Sequence, residues 1–192
     1  MPKNKVRLID TDVISNIILM HAKSDIFPNV NSSNSNISLW TTRTVEKEIN
    51  NRFKRAKDRN QFGQLKVRSE EIQIMERSWK NIKRIFQLKT SVQDPSELRN
   101  AGEKSLVSIL PLDRNDVKIV SNDRKDVLNY LKAKLPNPQH YYISPFEFYE
   151  QMYKDWFKNY QTLVRFLILS NHDFKVIENT GLGDILKKVP KK

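Results

Sequence analysis

The sequence predicts an α/β fold in which a mostly parallel sheet is flanked by helices. Two observations carry that prediction. Short β-prone runs alternate with longer stretches of helical periodicity, and their order along the chain is βα, βααα, βα, βα, the pattern of a parallel sheet with crossover helices. The 192 residues suit one such domain with a small appendage.

Val6 to Ile9 form the first run, which ends at Asp10, and Ile14, Ile17, Ile18 and His21 follow at helical spacing. Residues 24 to 36, with Pro28 and the stretch Asn31-Ser32-Ser33-Asn34-Ser35-Asn36, have loop composition. Ile37 to Trp40 form a second strand. Val45, Ile49 and Phe53 then recur every four residues, on a helix whose outer face carries Arg52, Lys54, Arg55, Lys57 and Arg59. Ile72, Met75, Trp79, Ile82 and Phe86 alternate steps of three and four and draw one apolar stripe along the next helix.

Asp94-Pro95-Ser96 starts a helix expected to bury Leu98, Ala101, Leu106 and Ile109. Val117 to Val120 form a third strand ending at Ser121-Asn122-Asp123, and the helix through Val127, Leu131 and Leu135 is stopped by Pro136 and Pro138. Tyr141 to Ile143 form a fourth strand. Ser144-Pro145-Phe146-Glu147 is a capping box with proline at the first helical position, and the helix it opens is expected to reach Ser170. Gly181 and Gly183 interrupt an amphipathic remnant that ends in a basic tail.

Composition removes several classes of function. The absence of cysteine excludes disulfide frameworks, thiolate catalysis, zinc fingers and iron–sulfur ligation. His21, His140 and His172 are too far apart to pair on one helix, so a histidine-rich metal site is not expected. With only Gly63, Gly102, Gly181 and Gly183 available, neither a Rossmann phosphate turn nor a Walker loop can be written. Charged residues interrupt the first ten positions, so no secretory signal is expected there. No apolar run approaches the roughly 18 residues of a membrane span, and a cytoplasmic protein without a membrane partner is expected. A net charge of +12 favours a polyanionic partner, nucleic acid first.

The acids suggest a site. Asp10 closes the first strand and Asp123 the third, while Glu48 and Glu103 fall in helices that follow the second strand and Asp94-Pro95. Strand ends of a parallel sheet converge at its carboxyl edge. Four carboxylates there repel one another, raise at least one pKa and are tolerated when a cation neutralises them. Oxygen ligands without histidine or cysteine select Mg²⁺ or Mn²⁺. On a basic protein, that is the equipment for phosphodiester cleavage. Taken singly, each acid is equally an ordinary turn or helix-surface residue.

The run Val6-Arg7-Leu8-Ile9-Asp10-Thr11-Asp12-Val13-Ile14 resembles the opening motif of the PIN-domain nucleases. Thr44-Val45-Glu46-Lys47-Glu48-Ile49 is similar to their second motif, Ala101-Gly102-Glu103-Lys104-Ser105-Leu106 to the third, and Ile119-Val120-Ser121-Asn122-Asp123-Arg124-Lys125-Asp126 to the fourth. Ile143-Ser144-Pro145-Phe146-Glu147-Phe148 resembles the closing strand and helix of bacterial PIN toxins of the VapC type. The resemblance spans residues 5 to 155. It implies a three-layer α/β/α fold with four to five strands, and a Mg²⁺- or Mn²⁺-dependent ribonuclease built on Asp10, Glu48, Glu103 and Asp123. It also implies a toxin held by an antitoxin, or an RNA-processing or defence enzyme. Residues 1–155 are thus expected to form the nuclease domain, with a basic helical segment over 43–90, and residues 156–192 a helical extension and basic tail. That segment and that extension exceed a small toxin.

Other residues keep two readings each. Asp12 either reaches a metal through water or caps its helix. Asp126, one turn from Asp123, either joins the metal site or lies on a solvated face. Glu46 and Glu48 each adjoin a buried position, so periodicity does not separate them, although the family pattern prefers Glu48. Thr11 and Ser121 are expected to orient the carboxylates or to cap strand ends. From Arg43 to Lys89, 14 Lys and Arg stand against 6 acids, and Arg52, Lys54, Arg55, Lys57 and Arg59 are the expected phosphate contacts. Trp79, Tyr153, Trp156 and Phe157 either stack bases or fill the core. The expected partners are RNA, an antitoxin or other protein, and a second copy of the chain. Two rival functions remain: a haloacid-dehalogenase-type phosphatase using Asp10-Thr11-Asp12, and a non-catalytic nucleic-acid-binding or interaction module.

Overall fold

The computed structural model describes residues 5–22, 36–62, 65–91, 100–111, 116–152, 156, 157 and 161–163. The elements are β1 (Lys5–Ile9), α1 (Thr11–Ala22), β2 (Ile37–Thr42), α2 (Arg43–Arg59), the short strands β3 (Gln61–Phe62) and β4 (Leu65–Lys66), α3 (Ser69–Ile82), β5 (Phe86–Lys89), α4 (Ala101–Ser108), β6 (Val117–Val120), α5 (Arg124–Lys132), β7 (Tyr142–Ile143) and α6 (Pro145–Gln151).

Five strands form one parallel sheet in the order β5-β2-β1-β6-β7, so the first strand of the chain lies at its centre. Val6 sits opposite Ser38 on one side and Val117 on the other. A strand with neighbours on both edges and helices on both faces has no wet side, which is why Val6, Leu8 and Ile9 are all buried and show no apolar–polar alternation. Arg7 is buried with them, only 2% exposed. Its guanidinium donates to Gln151 Oε1 at 2.9 Å and to the carbonyls of Val6 at 2.9 Å and Asp116 at 3.0 Å. Burial holds its pKa below the usual arginine value, against the pull of Asp116.

The chain leaves β1 toward β2 and leaves β6 toward β7, in opposite directions along the sheet. Right-handed crossovers then place the connecting helices on opposite faces. Accordingly α1 packs against α3, and α4 against α5. The result is the expected α/β/α arrangement, with a topological switch between β1 and β6, where such sheets open a crevice at their carboxyl edge.

Several expectations shift. Phe86 does not extend the α3 stripe: the helix ends at Ile82, a single tight turn covers Lys83–Ile85, and Phe86 opens β5 opposite Leu39. It continued the spacing because it is buried in the same core, its ring 6.3 Å from that of Trp79. Tyr141 belongs to the tight turn Pro138–Tyr141, so the last strand begins at Tyr142. The helix start at Asp94-Pro95-Ser96, together with Leu98, lies outside the described residues, and α4 begins at Ala101. The α6 helix is described to Gln151, and the Trp156 amide bonds to the Met152 carbonyl beyond it at 2.8 Å. Residues 161–163, on the expected course toward Ser170, are helical, while residues 164–170 and the basic tail lie outside the described residues. No described helix is long and apolar enough to cross a membrane.

Candidate active site

Asp10 leaves β1 straight into α1 and is 2% exposed. Its Oδ1 accepts from the Thr11 amide at 2.7 Å and its Oδ2 from the Ser121 hydroxyl at 2.8 Å. Ser121 follows β6, and its Oγ also accepts from the Asp123 amide at 3.0 Å. One hydroxyl therefore ties together the ends of the two strands that flank the switch. Burial, then the negative charges of Glu103 and Asp12, push the Asp10 carboxyl up to about 8, against the lowering effect of its two hydrogen bonds. Burial also raises Glu103, with the charges of Glu48, Asp12 and Asp123 adding to the rise and its backbone hydrogen bond opposing it. Asp10, Asp12, Glu48, Glu103 and Asp123 thus share one electrostatic neighbourhood.

Glu48 reaches it from α2. The Thr42 hydroxyl caps this helix by accepting from the Val45 amide at 3.2 Å and lies 2.6 Å from the Ser105 hydroxyl of α4. Glu48 Oε2 accepts from the Thr11 hydroxyl, and its Oε1 accepts from the Gly102 amide at 2.9 Å. Glu46 goes elsewhere. It is buried in ion pairs with Arg43, at 3.7 Å, and with Lys83. Two residues along a helix turn by about 200°, so adjacent acids on either side of one apolar stripe serve different neighbours.

The remaining acids divide. Asp123 is exposed and caps α5, its Oδ1 accepting from the Asp126 amide at 3.1 Å. Asp126 is held by the side-chain amide of Asn100, a residue at φ 57° that also donates to the Tyr130 hydroxyl at 3.4 Å. Asp12 pairs with Arg52. Among the described residues no three acidic or histidine side chains form a tight cage for an ion. The acids are neighbours in charge, each held separately by a hydroxyl, an amide or a guanidinium.

The basic face of α2 also divides. Lys54, Arg55 and Arg59 are exposed, and Arg59 lines a cleft of about 830 Å³ with Asn60, Gln61, Val67, Arg68, Ser69 and Glu71. Lys57 reaches Glu76 of α3 at 2.6 Å. Arg52 turns away from the outer face toward α1. Trp79, Trp156 and Phe157 are buried in the core and so are not base-stacking surfaces, and Tyr153 lies outside the described residues.

Sequence reasoning gave no role to Gly102, Ser15 or Asn100. For Gly102 a signal existed: it is one of four glycines, placed inside a helix beside Glu103. A Cβ there would stand 2.8 Å from Glu48 Oε2 and 3.2 Å from both Asp10 Oδ1 and Thr11 Oγ1. For Arg52 residue type carried no signal, since Lys54 and Arg55 are also basic, but its spacing of four from Glu48 did. Comparison of the chain with family models, with curated proteins and with solved structures finds no match.

Proposed function

We propose that the chain is a Mg²⁺- or Mn²⁺-dependent endoribonuclease, with its reaction centre in the acids at the carboxyl edge of β1 and β6. The observation that carries this reading is Asp10, an almost fully buried carboxyl fixed by two hydrogen bonds and pushed up to about 8 by burial and neighbouring acids. Such an arrangement is costly to keep in a fold, and perturbed carboxyls of this kind concentrate at sites that bind cations or move protons.

The donor set is oxygen alone, which fits a hard divalent cation; Asp10, Glu103 and Asp123 would hold it only by drawing closer than they stand here. When bound, a divalent ion makes an attacking water more acidic and offsets the negative charge that develops on phosphorus oxygens. The chain's own groups supply the rest. Thr11 and Ser121 fix the orientation of Asp10. Glu48, held by the Thr11 hydroxyl and the Gly102 amide, stands beside Asp10 and can accept a proton from water. Lys54, Arg55 and Arg59 offer positive charge to an RNA backbone approaching along α2.

A phosphatase acting through Asp10 as nucleophile leaves Glu48, held beside it by the Thr11 hydroxyl and the Gly102 amide, without a role. In its cellular setting the reading is that of a toxin held by an antitoxin, or of a defence enzyme. A small DNA-binding partner encoded beside it distinguishes the first. The direct test incubates end-labelled RNA with the chain in Mg²⁺, in Mn²⁺ and in EDTA, beside the Asp10→Asn variant and a small phosphate ester. Cleavage of RNA that requires the ion and Asp10 supports the reading; undiminished cleavage in EDTA, or turnover of the ester alone, overturns it.

A further inference from the structure

Arg52 behaves unlike the other basic residues of α2. It lies four residues after Glu48, so the two share a helix face and look toward the same acids. Its side chain is 28% exposed, against 56% for Lys57 one and a half turns on. Nη2 donates to Asp12 Oδ1, and Nη1 donates to Ser15 Oγ at 3.2 Å. Ser15 in turn donates to the Thr11 carbonyl at 2.8 Å, which returns the network to the residue beside Asp10. The α1 helix, which follows Asp10 directly, therefore supplies both groups that hold this guanidinium.

A guanidinium has five N–H donors in a rigid fork. Among the described residues the two contacts above use two of them, leaving donors at the rim of the acidic cluster. A phosphodiester approaching that cluster meets several negative charges, and a cation held on the spot answers the repulsion in a geometry that suits phosphate oxygens. An Asp12 oxygen already given to Arg52 is poorly placed to ligate a divalent ion, since the ion and the guanidinium repel each other.

We propose that Arg52 clamps the scissile phosphate of the RNA, and that Asp12 is the positioning residue of that clamp and not a metal ligand. This rests on the ribonuclease reading. It assigns Arg52 a place in the reaction centre, distinct from the general backbone contacts offered by Lys54, Arg55 and Arg59.

The test combines three measurements on the full chain. Calorimetry with Mn²⁺ alone compares the wild type with Asp12→Asn; a change within about 100-fold, the scale of a group that acts from outside the ligand set, is expected, and a larger loss overturns the role given to Asp12. Cleavage kinetics compare Arg52→Ala, Arg52→Lys and Lys54→Ala. Arg52→Ala should lower kcat by on the order of 10²-fold, as loss of one transition-state donor does, and a point charge at the same site should not rescue it. Lys54→Ala should act mainly on KM. Asp12→Asn added to Arg52→Ala should cost nothing further, because the two act as one unit. Full additivity, or full rescue by lysine, overturns the clamp, and the Lys variant keeps this readable where Arg52→Ala does not fold. The third measurement is binding of an RNA oligonucleotide in the Asp10→Asn background. RNA binding that persists there, beside an Arg52→Ala chain whose kcat is unchanged, overturns the clamp alone. No binding overturns the ribonuclease reading with it.

Discussion

The backbone amide of Gly102 donates to Glu48 Oε1 at 2.9 Å, so the first turn of α4 rests on a carboxylate supplied by α2. The Ser105 hydroxyl donates to the Gly102 carbonyl at 2.7 Å and lies against the Thr42 cap of α2, which fixes the same pair of helices from the other side. The absence of a side chain at Gly102 is what lets Glu48, Asp10 and Thr11 approach together.

Gly102→Ala is therefore expected to uncouple stability from activity. Alanine gains about 1 kcal/mol of helix propensity over glycine, while overpacking costs roughly 1–3 kcal/mol. The midpoint of thermal unfolding should move by only a few degrees. Cleavage should fall far more than stability, because the new Cβ stands 2.8 Å from Glu48 Oε2 and must displace it. Full activity in a variant shown by a crystal structure to keep its fold would remove Glu48 from the site.

Asp10 gives the stability a pH dependence of defined sign. Its folded-state pKa is raised from 3.8 to about 8, so between those values the folded chain keeps a proton that the unfolded chain has lost. Stability in EDTA should decline as pH rises from about 4 to about 8 and level off above, by an amount on the order of a few kcal/mol. Asp10→Asn removes the ionisation, so denaturant titrations of that variant should show a flatter profile and greater stability at pH 8 than the wild type. A wild-type curve that rises across the same window contradicts the assignment.

The same proton should be released when a cation binds. Mn²⁺ affinity measured by calorimetry is expected to increase with pH by up to about tenfold per unit below pH 8 and to flatten above it, with heats that vary with the buffer's ionisation enthalpy. Added Mn²⁺ should also raise the unfolding temperature most at pH 8, where the acids repel most. An affinity independent of pH would place the ion away from Asp10 and Glu103.

Lys54, Arg55 and Arg59 should act as a screened, sequence-independent surface. Neutralising the three in the Asp10→Asn background should weaken binding of single-stranded RNA and reduce the salt slope by roughly 0.7 per lost contact. Lys57→Gln should change the slope less, since Lys57 already faces Glu76 at 2.6 Å. An unchanged slope in the triple variant assigns this face of α2 to a protein partner.

The α/β class, the order of the main elements and the placing of acids at strand ends and on the following helices were legible in the residue pattern. Those features depend on burial period and local capping, which neighbouring residues settle: Thr42 caps α2, Asp123 caps α5, and Ser144 with Glu147 caps α6 in the places their residue types suggest. Short edges were not legible. The strands Gln61–Phe62 and Leu65–Lys66 are too brief to show a period, and Phe86 carried the same spacing whether helix or strand followed Ile82. Which acid met which neighbour followed from packing between distant elements. Glu46 and Glu48 are equally close to buried positions, and only the packing of α2 between α3 and α4 sends one to Lys83 and the other to Gly102. Likewise Arg52 and Arg55 are one residue type on one helix, and only the crossing of α1 past α2 gives Arg52 the Asp12 carboxylate. Periodicity records whether a side chain is buried; the identity of its partner depends on elements far away in the chain.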